Sequence, residues 1–259
     1  MKQLYEAWHR HVTEDVSPES IDLSSFEVKD ELNQMVWSGD RLLPEIQKRL
    51  MEIVEDFFYE LELEDVEIMD VIFTGSLANF NWSEYSDVDL HILLNFADIN
   101  EDQSLVKDFF DAKRALWNRM HQIEVFGYEV EIYVQDDQEP HHSTGQYSVM
   151  NDAWLIRPSR YVEDFDEYNV QLKSAGLMDE VDRIEELFDE EKYDEAIKTT
   201  DRLKAKIRKM RKTGLETGGA FSVENLAFKV LRRTDYLGKL SDLKHQAYDK
   251  KMSLTFSPE

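Results

Sequence analysis

Residues 71–94, VIFTGSLANFNWSEYSDVDLHILL, constrain this chain more than any other stretch. An apolar run, Val71-Ile72-Phe73, ends in a turn at Thr74-Gly75-Ser76. A polar loop follows, and Ser86-Asp87-Val88-Asp89-Leu90 then leads into Ile92-Leu93-Leu94. Short apolar runs bounded by turn residues read as buried strands. The stretch therefore predicts a strand, a Gly-Ser turn, a short helix or loop, and a second strand with two carboxylates at its start. Side chains alternate faces along a strand, so Asp87 and Asp89 share one face while Val88, Leu90 and Ile92 take the other and can enter a core. Two aspartates side by side repel each other unless something positive sits between them. A divalent cation is the usual reason to keep such a pair, and hard oxygen ligands suit magnesium. Gly75 lets backbone approach a ligand closely, and Ser76 is placed to open a helix whose free N–H groups face an anion.

Gly75-Ser76, the ten intervening residues and Asp87-Val88-Asp89 resemble the signature of the DNA polymerase beta-like nucleotidyltransferase superfamily. That signature is an apolar strand, Gly-Ser, a spacer of this length, and Asp-apolar-Asp on the next strand. Ala78 and Ser86 stand where the family often has the same residue types. Phe80 departs from it, in mid-loop where a glycine is common, which bears on the shape of the loop and not on the carboxylate pair. The resemblance implies that Asp87 and Asp89 bind metal and act in catalysis, and that Gly75 and Ser76 cradle the β- and γ-phosphates of an NTP.

A third acid is expected from a later strand. In Tyr128-Glu129-Val130-Glu131-Ile132-Tyr133-Val134, apolar residues alternate with Glu129, Glu131 and Tyr133, so both glutamates share the face opposite Val130, Ile132 and Val134. Two-metal phosphoryl transfer commonly uses a third carboxylate to hold one ion and deprotonate the attacking hydroxyl. The superfamily supplies it from this strand in an apolar-acid-apolar setting. Val130-Glu131-Ile132 fits that best, which selects Glu131 as the third metal-binding and catalytic residue, with Glu129 as the alternative. Two magnesium ions and an NTP substrate follow from the resemblance.

The chain has 259 residues, 42% of them hydrophobic, and a net charge of -25. This length suits one large domain or two modest ones, with enough apolar content for a real core. No apolar run approaches the length of a membrane span, and the start MKQLYEAWHRH does not read as a signal peptide. Absence of cysteine excludes disulfides and thiolate metal sites. Together these features predict a soluble, cytoplasmic protein with no membrane partner. The acidity argues against a long nucleic-acid track. Residues 202–212 contain seven Lys or Arg and no acid. They are the best local candidate for contacting triphosphate or a short RNA end, against the ordinary alternative of pairing with the acidic run at 179–195.

Along the chain, Pro44 opens a strongly amphipathic helix with Ile46, Leu50, Ile53, Val54, Phe57, Phe58 and Leu61 on its core stripe. A strand over 66–73 leads into the Gly-Ser turn. Residues 96–100 read as a linker. Asp102 or Ser104 caps a helix over 103–122, with Leu105, Phe109, Ala112, Leu116 and Met120 along one face. The third strand spans 128–135, and the segment with Tyr147, Trp154 and Ile156 suits an extra strand. This order predicts a small mixed sheet with helices on one side. Helical periodicity covers 163–175, 178–190, 192–212 and 222–250, broken at Gly176 and at Gly214, Gly218 and Gly219. Phe221, Val223, Leu226, Ala227, Val230 and Leu231 read as core, with Lys229, Arg232 and Arg233 toward a cleft. Leu4, Tyr5, Trp8 and Val12 suit a short helix; His9 and His11 read as surface residues, and His141 and His142 as loop residues.

The expected fold class is α+β: a small mixed β-sheet nucleotidyltransferase core over 1–158, then a C-terminal helical bundle over 159–259 that closes on the nucleotide. The expected activity is transfer of a nucleoside monophosphate from an NTP to an acceptor hydroxyl, with release of pyrophosphate. The alternative is a catalytically silent acidic binding or regulatory protein on the same scaffold. The acceptor is expected to be compact: a small hydroxyl compound, a protein side chain or an RNA 3′ end.

Overall fold

The computed structural model describes residues 16–63, 66–140, 143–161 and 164–254. The helix expected around Leu4 to Val12, with His9 and His11, and the pair His141-His142 lie outside the described residues. The architecture is mixed α+β, with a small mixed sheet and seven α-helices among the described residues. It separates into two compact units, Ser24–Val162 and a second made of Glu163–Glu259 with the described part of Met1–Leu23.

The Ser24–Val162 unit holds the sheet. A two-stranded ribbon, β1 (Trp37–Ser38) and β2 (Arg41–Leu42), precedes α1 (Pro44–Glu60). Then come β3 (Ile68–Thr74), β4 (Val88–Leu94), α2 (Phe96–Ile99), α3 (Gln103–Met120), β5 (Glu124–Val125), β6 (Tyr128–Asp136), β7 (Gln146–Ser148) and β8 (Ala153–Ile156). The main sheet has the order β5-β6-β4-β3-β7-β8. Only β4 and β6 are parallel within it; such a pair needs a long crossover, which α2 and α3 supply. The expected extra strand is thus two strands, β7 and β8, added at the free edge of β3.

Pro44 sits in the first turn of α1, where its missing N–H costs nothing. Ile46, Leu50, Ile53, Val54, Phe57 and Phe58 are buried along the predicted stripe. On the sheet, Val88, Leu90, Ile92 and Leu94 of β4 pack with Val130, Ile132 and Val134 of β6 in the same core. Trp37 is fully buried. It stacks on Phe73 at 5.5 Å and on Trp154 at 4.7 Å, with Tyr147 edge-on at 5.0 Å. Its indole N–H donates to the Leu77 carbonyl at 2.7 Å, tying the β1–β2 ribbon to the turn after β3.

Two expectations for this unit need correction. Residues 96–99 are a helical turn and not a linker: Asn95 caps it by accepting from the Ala97 N–H at 3.1 Å, and Phe96 is buried. In α3, capped by Asp102 through the Leu105 N–H at 3.2 Å, the core stripe is Val106, Phe110 and Trp117. Leu105, Phe109, Ala112, Leu116 and Met120, the predicted stripe, are exposed. Phe110 and Trp117 bring the larger apolar surfaces, and they find Phe96 at 5.9 Å and Phe57 at 5.5 Å, so α3 is rotated to bury them.

The second unit is helical: α4 (Glu167–Asp189), α5 (Tyr193–Gly218), α6 (Val223–Arg233) and α7 (Tyr236–Met252). Gly176 does not interrupt α4, because burial of its neighbours Ala175, Leu177 and Met178 outweighs the roughly 1 kcal/mol helix cost of a glycine. Gly214 also lies inside its helix. A Cβ there would come within 2.5 Å of the Glu224 Cβ, so it permits close approach of α6 to α5. The expected helix over 222–250 is split between α6 and α7, where Asp235 has φ +60°. Leu226, Ala227, Val230 and Leu231 are buried, and Phe221 and Val223 are half-buried. In the basic run on α5, Lys206 pairs with Glu180 of α4, and Lys204 donates to Ser241 at 3.0 Å. No described helix is long and apolar enough to cross a membrane.

Candidate metal centre

The sheet register brings three acids together. Thr74 of β3 lies opposite Asp89 in the antiparallel pair, and Asp89 lies beside Glu131 in the parallel pair. Asp87 immediately precedes β4 on the same face. One carboxylate oxygen each from Asp87, Asp89 and Glu131 lie within 4.8 Å of one another, and all three residues are half-buried. An octahedral magnesium ion with oxygens at about 2.1 Å places its ligands roughly 3–4 Å apart. The donor set, all carboxylate oxygen, fits a hard divalent cation after small side-chain adjustments.

The preceding turn is shaped around Asp89. Gly75 has φ +81°, and a Cβ on it would lie 1.9 Å from Asp89 Oδ2 and 2.9 Å from its Cγ. Both the backbone conformation and the carboxylate therefore require glycine there. Ser76 does not open a helix as expected. Residues 76–79 form a single turn, closed by the Asn79 N–H on the Ser76 carbonyl at 3.0 Å. The Ser76 hydroxyl pairs with that of buried Ser86 at 2.7 Å, and Ser86 Oγ also accepts from the Ser83 N–H at 2.9 Å. The loop cannot wind further because an earlier segment holds it. The Lys29 N–H donates to the Phe80 carbonyl at 2.7 Å, Trp82 Nε1 to the Glu31 carbonyl at 2.9 Å, and Trp37 to Leu77. Phe80, where the family often has glycine, packs its side chain against the core.

On β6 the structure brings Glu131, and not Glu129, to the aspartates. Glu129 stands one pleat further along the same face, exposed, opposite Glu124 of β5. The next residue on that face, Tyr133, donates its hydroxyl to Glu131 Oε2. Its ring stacks on His91 at 4.8 Å, and the Arg114 guanidinium lies 4.9 Å from the ring centroid. Burial first, then the Glu131 hydrogen bond and the negative charge of Glu131, Asp89 and Asp87, push the Tyr133 hydroxyl far above the usual phenol range. It therefore stays a neutral donor. His91 Nδ1 pairs with Gln135 Oε1 at 2.7 Å, and Arg114 Nε donates to Asp111 at 2.9 Å. Sequence reasoning missed these residues. The strand alternation that selected Asp89 and Glu131 also puts His91 and Tyr133 on their face, whereas nothing in the local pattern marks Arg114. A cavity of about 890 Å³ lined by Phe58, Tyr59, Leu63 and Ile68 opens at the far end of β3 and shares no residue with the three acids.

The family model for the SidM N-terminal domain matches residues 23–128. The match takes in the Gly-Ser turn and both aspartates, and it ends where β6 begins, short of Glu131. Neither the curated proteins nor the solved structures give a significant match.

Proposed function

We propose that the Ser24–Val162 unit is a metal-dependent nucleotidyltransferase of the polymerase beta-like kind, transferring a nucleoside monophosphate from an NTP to an acceptor hydroxyl. The observation that carries this reading is the convergence of Asp87, Asp89 and Glu131 beside the Gly75-Ser76 turn. Magnesium bound by these acids would neutralise triphosphate charge and favour ionisation of the attacking hydroxyl. The chain supplies the rest. Asp89 of β4 and Asp87 just before it would hold the cation. Glu131 of β6 would hold it as well and would accept the hydroxyl proton. Gly75 leaves room for the Asp89 carboxylate, the Gly75-Ser76 turn would cradle the β- and γ-phosphates, and Ser76, tied to Ser86, keeps that turn in shape. The acceptor oxygen bonds to the α-phosphorus, the bond to the bridging oxygen breaks, and pyrophosphate leaves with the electron pair. Positioning and charge neutralisation provide most of the rate.

The acceptor is compact: a small hydroxyl compound, a protein side chain or an RNA terminus. A net charge of -25 leaves few cations for a long strand, and in the basic run Lys206 is already engaged by Glu180. The acidic, cysteine-free composition fits a cytoplasmic setting. The test is incubation of the protein with α-labelled NTPs, magnesium and a cell extract, followed by separation of RNA, protein and small molecules. Label should enter one fraction and vanish with Asp87→Ala/Asp89→Ala. Transfer that survives the double substitution overturns the proposal.

A further inference from the structure

Glu131 Oε2 accepts a hydrogen bond from a neutral donor on its own strand, the Tyr133 hydroxyl. The ring that carries this donor has two neighbours. His91 of β4 covers one side of the phenol ring at 4.8 Å with planes 21° apart, and Arg114 of α3 lies 4.9 Å from its centroid. Each of these is tied in turn, His91 to Gln135 and Arg114 to Asp111. Contacts from β4 and α3 thus hold the phenol ring on β6.

We propose that Tyr133 is a positioning residue of the metal centre: it holds Glu131 Oε2 so that the other carboxylate oxygen is presented to the cation beside Asp89. The inference rests on the metal-centre reading above. Its physical basis is that an untethered glutamate loses rotamer freedom on ligation and must also approach two like charges. A hydrogen bond to one carboxylate oxygen meets part of both costs before the cation arrives, as outer-shell partners do in known metal sites. A phenol suits this place because it donates without adding a positive charge that would compete with the cation.

The test is Mn²⁺ binding to the full chain, followed by the electron paramagnetic resonance of the free ion, in wild type, Asp89→Asn, Glu131→Gln, Tyr133→Phe and the Tyr133→Phe/Glu131→Gln double variant. Tyr133→Phe keeps the ring against its two neighbours, so its metal-free unfolding midpoint should match wild type. Its Mn²⁺ affinity should fall by about tenfold or more, and the double variant should bind no more weakly than Glu131→Gln alone. Arg114→Met, which leaves the hydroxyl and loosens the ring, should give a smaller loss in the same direction. Wild-type affinity in Tyr133→Phe, with binding abolished in Asp89→Asn, overturns the positioning role alone. An equal further loss on the Glu131→Gln background overturns it too. Unchanged affinity in Asp89→Asn overturns the metal centre and this inference together.

Discussion

Asp89 fills the space above Gly75 so closely that a Cβ on the glycine would lie 1.9 Å from the carboxylate oxygen Oδ2. Gly75→Ala therefore forces Asp89 aside and also places an L side chain at φ +81°. The backbone penalty alone is about 1–2 kcal/mol. Urea unfolding should show at least that loss, and calorimetric Mg²⁺ binding should weaken by about tenfold or more. A variant that keeps wild-type metal affinity would mean that Asp89 does not need its present position.

Asp87, Asp89 and Glu131 repel one another without a cation. Asp87→Asn and Asp89→Asn should each leave the metal-free protein as stable as wild type or more so, by up to about 1 kcal/mol. Wild type should melt at a higher temperature in millimolar Mg²⁺, because a ligand of the folded state stabilises it. The variants should lose that increment. A magnesium-dependent rise that persists in either variant contradicts the site assignment.

The carboxylate face was legible because strand alternation is a local rule. Val88, Leu90 and Ile92 alternate with Asp87, Asp89 and His91 in sequence as they do in space. The α1 stripe was legible for the same reason. In α3 the rule runs out, since Leu105, Phe109, Leu116 and Met120 adjoin a second stripe of Val106, Phe110 and Trp117. The choice between them is made by Phe96 and Phe57, which belong to other elements. The turn at Ser76 depends on residues 29–37, and the surroundings of Tyr133 depend on Arg114. Gly176 and Gly214 carry a local helix penalty that only tertiary packing offsets.

Tyr147, buried and donating to Asp152, has its hydroxyl pushed up to about 12, mainly by burial. In the unfolded chain the same phenol ionises near 10. Its contribution to stability is thus complete below pH 10 and falls as pH rises from 10 towards 12, by roughly 3 kcal/mol at most. Tyr133 and Tyr236 are raised as well and act in the same direction. Urea midpoints measured across this alkaline range should decline in wild type and decline less steeply in Tyr147→Phe. Equal slopes would refute the assignment.

Trp37→Phe removes the donor to the Leu77 carbonyl and part of the stack on Phe73 and Trp154. A buried carbonyl left unpaired and a partly emptied aromatic site together cost about 2–4 kcal/mol. Because Leu77 follows Ser76, magnesium affinity should drop too. Loss of stability with unchanged affinity would show that the ribbon supports the core without shaping the turn.

Sliding β6 by two residues against β4 would keep every apolar side chain inside and bring Glu129 to the place of Glu131. Hydrophobic burial is blind to that error, because the strand pattern repeats with the same period. The difference is marked by polar anchors. The Asn118 amide donates to the Ile132 carbonyl at 3.2 Å and accepts from the Ile132 N–H at 3.3 Å, while Asp136 accepts from the Phe96 N–H at 3.0 Å. A helix asparagine and an acid at the strand's end therefore act as an index mark. Of two interchangeable glutamates, they decide which one becomes part of the chemistry and which remains decoration on the surface.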